Sequence, residues 1–243
     1  MRKIIIIGAT SGIGLELAKR YVQNGDKVGV TGRRSHLLAS LKEQFPANIE
    51  PECFDVMGNE NIVHLESLIK KLGGVDVLIY NSGYGETSDS LDWSVDKQTT
   101  LTNVNGFVEI VNYIFNYFVK QGRGQIAATS SIASNIESSH APAYSASKAY
   151  MSMYMAGLYV KSRRLRKKDP SVKVYVSDIQ PGFVATKMAK GKGRFWEAPV
   201  EKAARQIFSA IQNKKRKTYI TRRWTIIAWL LRLMPYFIIK RFA

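Results

Sequence analysis

Ile4-Ile5-Ile6-Ile7-Gly8-Ala9-Thr10-Ser11-Gly12-Ile13-Gly14 spells out a strand, a turn and the start of a helix. Four consecutive isoleucines suit a strand buried on both faces, as in a parallel sheet. Glycines at 8, 12 and 14 let the backbone turn tightly and come close to a diphosphate. The helix expected next, over about Ile13 to Asn24 with Gly25 as its stop, turns free N–H groups and a positive dipole end toward that anion.

Downstream, a second strand over about Lys27 to Thr31 runs into Gly32-Arg33-Arg34. At the end of this strand in a dinucleotide fold, an acid would bind the ribose 2′-OH and an arginine would accommodate a 2′-phosphate. Arg33 and Arg34 stand there and no acid does, so the pattern favours NADP(H) over NAD(H). Phe54-Asp55-Val56 ends a third strand, and Val75 to Tyr80 reads as a fourth, leading into Asn81-Ser82-Gly83.

In the second half, Tyr144-Ser145-Ala146-Ser147-Lys148 places a phenol and an ammonium one helical turn apart, on one face. A tyrosine hydroxyl is a poor acid or base at neutral pH, and a neighbouring ammonium is expected to lower its pKa. Ser131 follows the strand Gly124 to Ser130, where its hydroxyl would meet a substrate carbonyl oxygen. A further strand, Lys173 to Ile179, is followed by Gln180-Pro181-Gly182-Phe183-Val184-Ala185-Thr186. Such a serine, tyrosine and lysine behind a cofactor turn describe hydride exchange with a nicotinamide and proton exchange with an alcohol.

The glycine turn resembles the TGxxxGxG turn of the short-chain dehydrogenase/reductase family, with Ile7 where the family usually has threonine. Tyr144 and Lys148 resemble its YxxxK motif. The resemblance covers about residues 3 to 221. It implies a single-domain, doubly wound Rossmann-type α/β fold, with a mostly parallel sheet of seven strands between helices, the last strand near Lys217 to Thr221. It implies catalytic roles for Asn103, Ser131, Tyr144 and Lys148. Asn103, in Thr102-Asn103-Val104-Asn105-Gly106, would hold a water that relays protons to Lys148. It implies cofactor contacts from Gly8, Thr10, Ser11, Gly12, Ile13 and Gly14 in the turn, and from Arg33 and Arg34. Asp55 and Val56 would meet the adenine. Asn81 and Gly83 belong to a segment resembling NNAG, with Tyr80 and Ser82 replacing its first Asn and its Ala. Pro181, Gly182, Val184 and Thr186 would clamp the carboxamide end. A homodimer or homotetramer built on the long helices after strands four and five is implied as well.

The chain has 243 residues, enough for one fully cored domain, and shows no repeat or low-complexity linker. Met1-Arg2-Lys3 and the isoleucines are too short for a signal peptide and lead straight into the turn, which suits a cytoplasmic protein. His36, His64 and His140 fit no metal or triad spacing. Cys53, the single cysteine, excludes an internal disulfide and reads as a small core residue.

The formal charge is +17. Nine basic residues and no acid lie between Lys214 and the C-terminus, and six more basic residues lie between Lys161 and Lys168. A solvated charged face is the plain reading of such clusters and nucleic acid the other; no nucleic-acid module accompanies them, and no nucleic acid is expected as partner. Residues 1–221 read as the catalytic domain and 222–243 as an apolar, basic tail. Trp224 to Leu231 is nearly all apolar, Leu233 to Ile239 repeats the pattern around Pro235, and Arg222, Arg223, Lys240 and Arg241 bracket both. As a helix, 224 to 239 would span roughly 24 Å, short of the roughly 30 Å hydrocarbon core. The composition fits a segment lying in an anionic membrane face, with residues 214–243 as the peripheral contact. The other reading of the tail is a helix packed on the body or on a second subunit.

The resulting expectation is an NADP(H)-dependent reductase or dehydrogenase acting on a small-molecule carbonyl or alcohol, hydrophobic or lipid-like. The competing readings are a soluble broad-specificity reductase whose tail is an oligomer contact, and a non-catalytic NADP(H) sensor. Tyr84 to Asp96, Ala133 to Pro142 and Lys187 to Pro199 are the expected substrate walls.

Overall fold

The computed structural model describes residues 1–186 and 195–233, the side chains of 231–233 excepted. The rest of the Lys187 to Pro199 wall and of the tail, residues 187–194 and 234–243, lies outside them. Seven strands alternate with helices among the described residues: β1 (Lys3–Ile7), α1 (Gly12–Gln23), β2 (Lys27–Gly32), α2 (Ser35–Gln44), β3 (Ile49–Cys53), α3 (Asn61–Leu72), β4 (Val77–Tyr80), α4 (Trp93–Thr100), α5 (Gly106–Gln121), β5 (Arg123–Thr129), α6 (Pro142–Lys168), β6 (Lys173–Pro181), α7 (Val200–Gln212), β7 (Lys217–Ile220) and α8 (Trp224–Leu233). The strand order is β3-β2-β1-β4-β5-β6-β7, and every pairing is parallel.

The isoleucine run shows why the sheet is buried on both sides. Ile5 and Ile7 pack with α3, α5 and α6 on one face, through residues such as Leu68, Ile110, Phe118 and Met151. Ile4 and Ile6 pack with α1, α2 and α7 on the other, through Leu17, Leu38, Ile207 and Ile211. Alternate side chains of one strand thus serve two separate cores.

All seven strands end on one edge, so the turns after them converge there. Cys53 ends the edge strand β3 and is exposed, not a core residue. An edge strand has one neighbour, and its last residue lies beyond the helices that cover the sheet. The basic run is divided as well. Lys214 to Lys217 lies at the start of β7, while Arg222 and Arg223 follow its end. The two groups therefore sit at opposite ends of the short outer strand β7. Lys214 joins the cluster at the end of α6: its Nζ lies 4.2 Å from the Tyr175 ring centre, and Arg166 Cζ lies 4.9 Å from the same ring.

Candidate active site

The glycine turn after β1 is tight enough to exclude side chains. Gly8 has φ 86° and Gly12 φ 57°, in the left-handed region that glycine adopts freely. A Cβ on Gly14 would run into the Gly8 carbonyl and stand 2.7 Å from Asn81 Nδ2. The threonine hydroxyl absent at Ile7 has a substitute from the next strand. Thr31 Oγ1 accepts from Gly8 N at 3.3 Å, and Thr31 O accepts from Ala9 N at 2.8 Å. Asn81, just past β4, donates from Nδ2 to Gly8 O at 3.0 Å and accepts from Thr129 Oγ1 at 3.2 Å. It thereby joins the turn to the end of β5.

The two arginines diverge. Arg34 turns inward: its Nη2 donates to Thr10 Oγ1 at 2.5 Å and Ser11 Oγ at 2.8 Å, and its Nε donates to Thr10 Oγ1 at 3.1 Å. Arg33 is about half exposed and meets Asp55 Oδ2 at 3.5 Å. Asp55 also accepts from Met57 N at 3.1 Å, which shapes the loop after β3. Val56 is buried, and its carbonyl lies so close to Gly106 that no larger residue fits there. Thr186 stands over the turn, its methyl 3.2 Å from where a Cβ of Gly12 would be. Pro181 ends β6, Gly182 and Val184 lead from it toward Thr186, Ile13 lies in the first turn of α1, and Gly83 follows β4 two residues after Asn81. The arrangement fits a dinucleotide: a side-chain-free cradle at a helix N-terminus, with a guanidinium and two hydroxyls beside it.

Ser131, Tyr144, Lys148 and Asn103 converge beside this cradle. Ser131 follows β5, and its Oγ accepts from Ala133 N at 3.1 Å. Its hydroxyl also hydrogen-bonds Tyr144 and pulls the tyrosine pKa down, but burial outweighs it and pushes the phenol above its ordinary value. The expected lowering by Lys148 is therefore not what the site does by itself. Lys148 Nζ lies 5.7 Å from the Tyr144 ring centre and donates one of its three protons to Thr129 O at 3.0 Å. Lys148 is 3% exposed. Burial lowers its pKa from 10.5 to about 8, with Asp178 acting in the opposite direction.

Asn103 lies in a π-helical turn, Leu101–Asn105, between α4 and α5. Such turns recur at functional sites because they displace side chains from the regular ladder. Its Nδ2 donates to Tyr84 O at 2.7 Å and Ser147 Oγ at 2.9 Å, and its Oδ1 accepts from Tyr84 N at 2.9 Å. The side chain thus ties the Tyr84 loop to α6 one residue before Lys148, which leaves its amide committed to position. Tyr80 holds the same turn from below, donating to Thr102 O at 2.7 Å.

Asp178, which motif reading passed over, lies close enough to raise the Lys148 pKa. It is buried in β6 and accepts from Ser130 Oγ at 2.5 Å, Ser152 Oγ at 2.7 Å and Gln180 Nε2 at 3.0 Å, with Lys217 Nζ 3.8 Å away. Gln180 passes the network on to Ser134 at 2.9 Å and accepts from Asn135 at 3.0 Å. Ser131 is therefore held from both sides. A single acid among the mostly apolar residues Val174 to Pro181, where Ser177 and Gln180 are also polar, was the available signal.

A groove beside Tyr144 is lined by Glu86, Leu91, Asp92, Val95, Asp96 and Pro142 among others. On the far side of the site, the first part of the tail packs down: α8 lies against β7 and the short helix Ile132–Asn135 that follows Ser131. Trp224 and Ala228 are buried. Trp224 covers Gly182 so closely that a Cβ there would collide with its ring; Phe183 meets that ring edge-to-face at 5.6 Å and Phe195 lies tilted against it at 5.1 Å.

This fold and this convergence are those of a family that comparison identifies. The short chain dehydrogenase family model matches residues 2–195, and the chain belongs to that family of oxidoreductases. It is 30% identical over 186 residues to a probable NADP-dependent dehydrogenase of Haemophilus influenzae, covering 74% of this chain and 70% of that protein. It is 30% identical over 185 residues to the NADP-dependent 3-hydroxy acid dehydrogenase YdfG of Salmonella typhimurium, covering 74% and 72%. A solved short chain dehydrogenase of Bacillus anthracis superposes with TM-score 0.80 at 20% identity, over 91% and 95% of the two chains. The protein is thus an NAD(P)-dependent enzyme acting between CH–OH and C=O. No helix among the described residues is long and apolar enough to cross a membrane.

Proposed function

We propose that this enzyme is an NADP(H)-dependent carbonyl reductase for a neutral, hydrophobic substrate. The observation that carries the reading is half-buried Tyr144 beside buried Ser131 and Lys148, next to a side-chain-free turn. The nicotinamide, when bound, supplies the hydride. Ser131 and Tyr144 present hydroxyls to the carbonyl oxygen, and Tyr144 gives it the proton. The raised tyrosine pKa keeps that proton on until one is needed. Lys148 anchors the ribose, and its pKa near 8 lets it refill Tyr144 from solvent, with Asn103 holding the relay in register. Arg34, Thr10 and Ser11 support NADP(H) over NAD(H), with Arg33 and Asp55 bordering the adenosine side. An NADP(H) sensor would have no use for Ser131 and Tyr144 kept in hydrogen-bond contact.

The groove argues for the substrate class. Leu91, Val95 and Pro142 offer apolar contact, while Glu86, Asp92 and Asp96 disfavour a carboxylate. A hydroxy acid, the substrate type named for the Salmonella relative, is on this reading rejected. We also propose a homodimer or homotetramer through α6, whose outward face exposes Tyr150, Met153 and Val160, in a cytoplasmic protein. The residues to 221 form the catalytic domain in this proposal. The tail, 222–243, makes a peripheral membrane contact instead of serving only as an oligomer contact.

The test is NADPH oxidation with matched pairs: a β-keto acid and its ethyl ester, and short- and long-chain ketones. Turnover favouring the ester and the longer chain supports the reading. Preference for the free acid, or for NADH, removes it.

A further inference from the structure

We propose that the outward face of α8, together with Trp196 and the Arg222–Arg223 pair, is a docking surface for an anionic lipid bilayer at the mouth of the active site. The inference deepens the hydrophobic-substrate reading, but its test does not depend on turnover.

A surface helix usually buries its apolar stripe and shows polar residues to water. Here α8 buries Trp224 and Ala228, and its opposite face is apolar too: Ile226 is 60% exposed, Trp229 62% and Leu230 43%. These three lie at spacings of three and four, on one stripe. Trp196, 40% exposed, continues the patch, and Arg223 is stacked over it at 5.2 Å while donating to its carbonyl at 2.8 Å. Three large side chains on one helix face are a contiguous patch, of the kind that marks an interaction site.

The charge around the patch selects the occupant. Arg222 and Arg223 are exposed, and no acid occurs anywhere from Lys214 to the C-terminus. Tryptophan flanked by arginine is the composition that settles in the headgroup layer of a membrane. A second copy of this chain fits less well. A two-fold interface sets each patch against itself, bringing the Arg222–Arg223 pairs together with no carboxylate on α8 to separate them.

Position gives the contact its use. Trp224 joins α8 to Gly182 and Phe183, directly after the strand that borders the site, and α8 abuts the turn after Ser131. A bilayer held there lies next to the carbonyl-binding hydroxyls, so a membrane-dissolved substrate reaches them with little exposure to water.

The experiment is co-sedimentation of the full chain with vesicles of phosphatidylcholine alone and with one-third phosphatidylglycerol, alongside light scattering without lipid. The variants are Ile226→Glu/Trp229→Glu and Arg222→Glu. All three positions are exposed, so the fold is retained, as unfolding curves will show. The wild-type chain is expected on the anionic vesicles. Partitioning falls by about tenfold or more in the double variant, because two apolar side chains no longer enter the bilayer. It falls roughly fivefold in Arg222→Glu. Absence of wild-type binding, equal binding of the double variant, or a double variant that changes only the oligomeric state would overturn the proposal. Reduction of a soluble ketone, measured on the same samples, stands or falls separately.

Discussion

Lys148→Met is expected to stabilise the cofactor-free protein while abolishing its activity. Methionine matches the lysine chain in length and shape and leaves no charge. Burial lowers the Lys148 pKa from 10.5 to about 8. At about 1.36 kcal/mol per unit, the fold bears roughly 3 kcal/mol for keeping that ammonium charged at pH 7. Losing the bond to the Thr129 carbonyl gives back about 1 kcal/mol. The variant should therefore gain about 2 kcal/mol, or roughly 4–8 °C in Tm for a domain of this size. The sign is checked by pH. Below pH 8 the lysine is protonated both folded and unfolded, and the whole cost is present. Between about 8 and 10.5 the unfolded chain holds a proton that the folded one does not, so the wild type gains on the variant as pH rises. Denaturant unfolding at pH 7, 9 and 10.5 measures this. A variant less stable than wild type at pH 7, or a difference independent of pH, would refute the electrostatic reasoning.

Three further outcomes follow from the site. Tyr144→Phe should retain NADPH binding, seen by fluorescence titration, and lose nearly all turnover, because the ring packs alike but carries no proton. Arg34→Ala should raise the KM for NADPH by about tenfold to a hundredfold and leave that for NADH nearly unchanged, since a charge-assisted phosphate contact is worth roughly 1.5–3 kcal/mol; Arg33→Ala, whose guanidinium faces Asp55, should do less. Asp178→Asn removes the carboxylate that holds the Lys148 pKa up, so the basic limb assigned to Lys148 in a pH–rate profile should move to lower pH, while an unmoved limb would separate the two residues.

What could be read from the chain was local and periodic. Four isoleucines in a row have no solvent side, so they had to lie between two helical layers. Tyr144 and Lys148 share a helix face whatever surrounds them. What could not be read depends on neighbours brought in by the fold. The Tyr144 shift has the opposite sign to the expected one because burial is a tertiary property and the ammonium is engaged with the Thr129 carbonyl. The two arginines look equivalent in Gly32-Arg33-Arg34, yet only Arg34 reaches Thr10 and Ser11. The departures at Ile7 and Tyr80 looked like losses. Their repairs, the Thr31 hydroxyl on the turn and the Tyr80 hydroxyl on the Asn103 turn, join segments well separated along the chain. The division of the basic tail was in fact within reach, since a strand must carry Lys217 and Thr221 to its opposite ends.

The mouth of the site is electrically lopsided, and this ties the substrate reading to the docking surface. The loop after β4 and the start of α4 carry Glu86, Asp89, Asp92 and Asp96, while the segment after β7 carries Arg222 and Arg223. In the sheet β4 and β7 are three strand spacings apart, roughly 14 Å. That separation exceeds the Debye length of about 8–10 Å at ordinary salt, so the two groups are largely screened from each other and each meets a charged surface on its own. An anionic bilayer draws the arginine side in and repels the acidic side. The groove belongs to the acidic side, since Glu86, Asp92 and Asp96 line it together with Leu91, Val95 and Pro142, so the proposed docking leaves it facing away from the lipid. A neutral carbonyl compound, the substrate class proposed above, is repelled by neither lip.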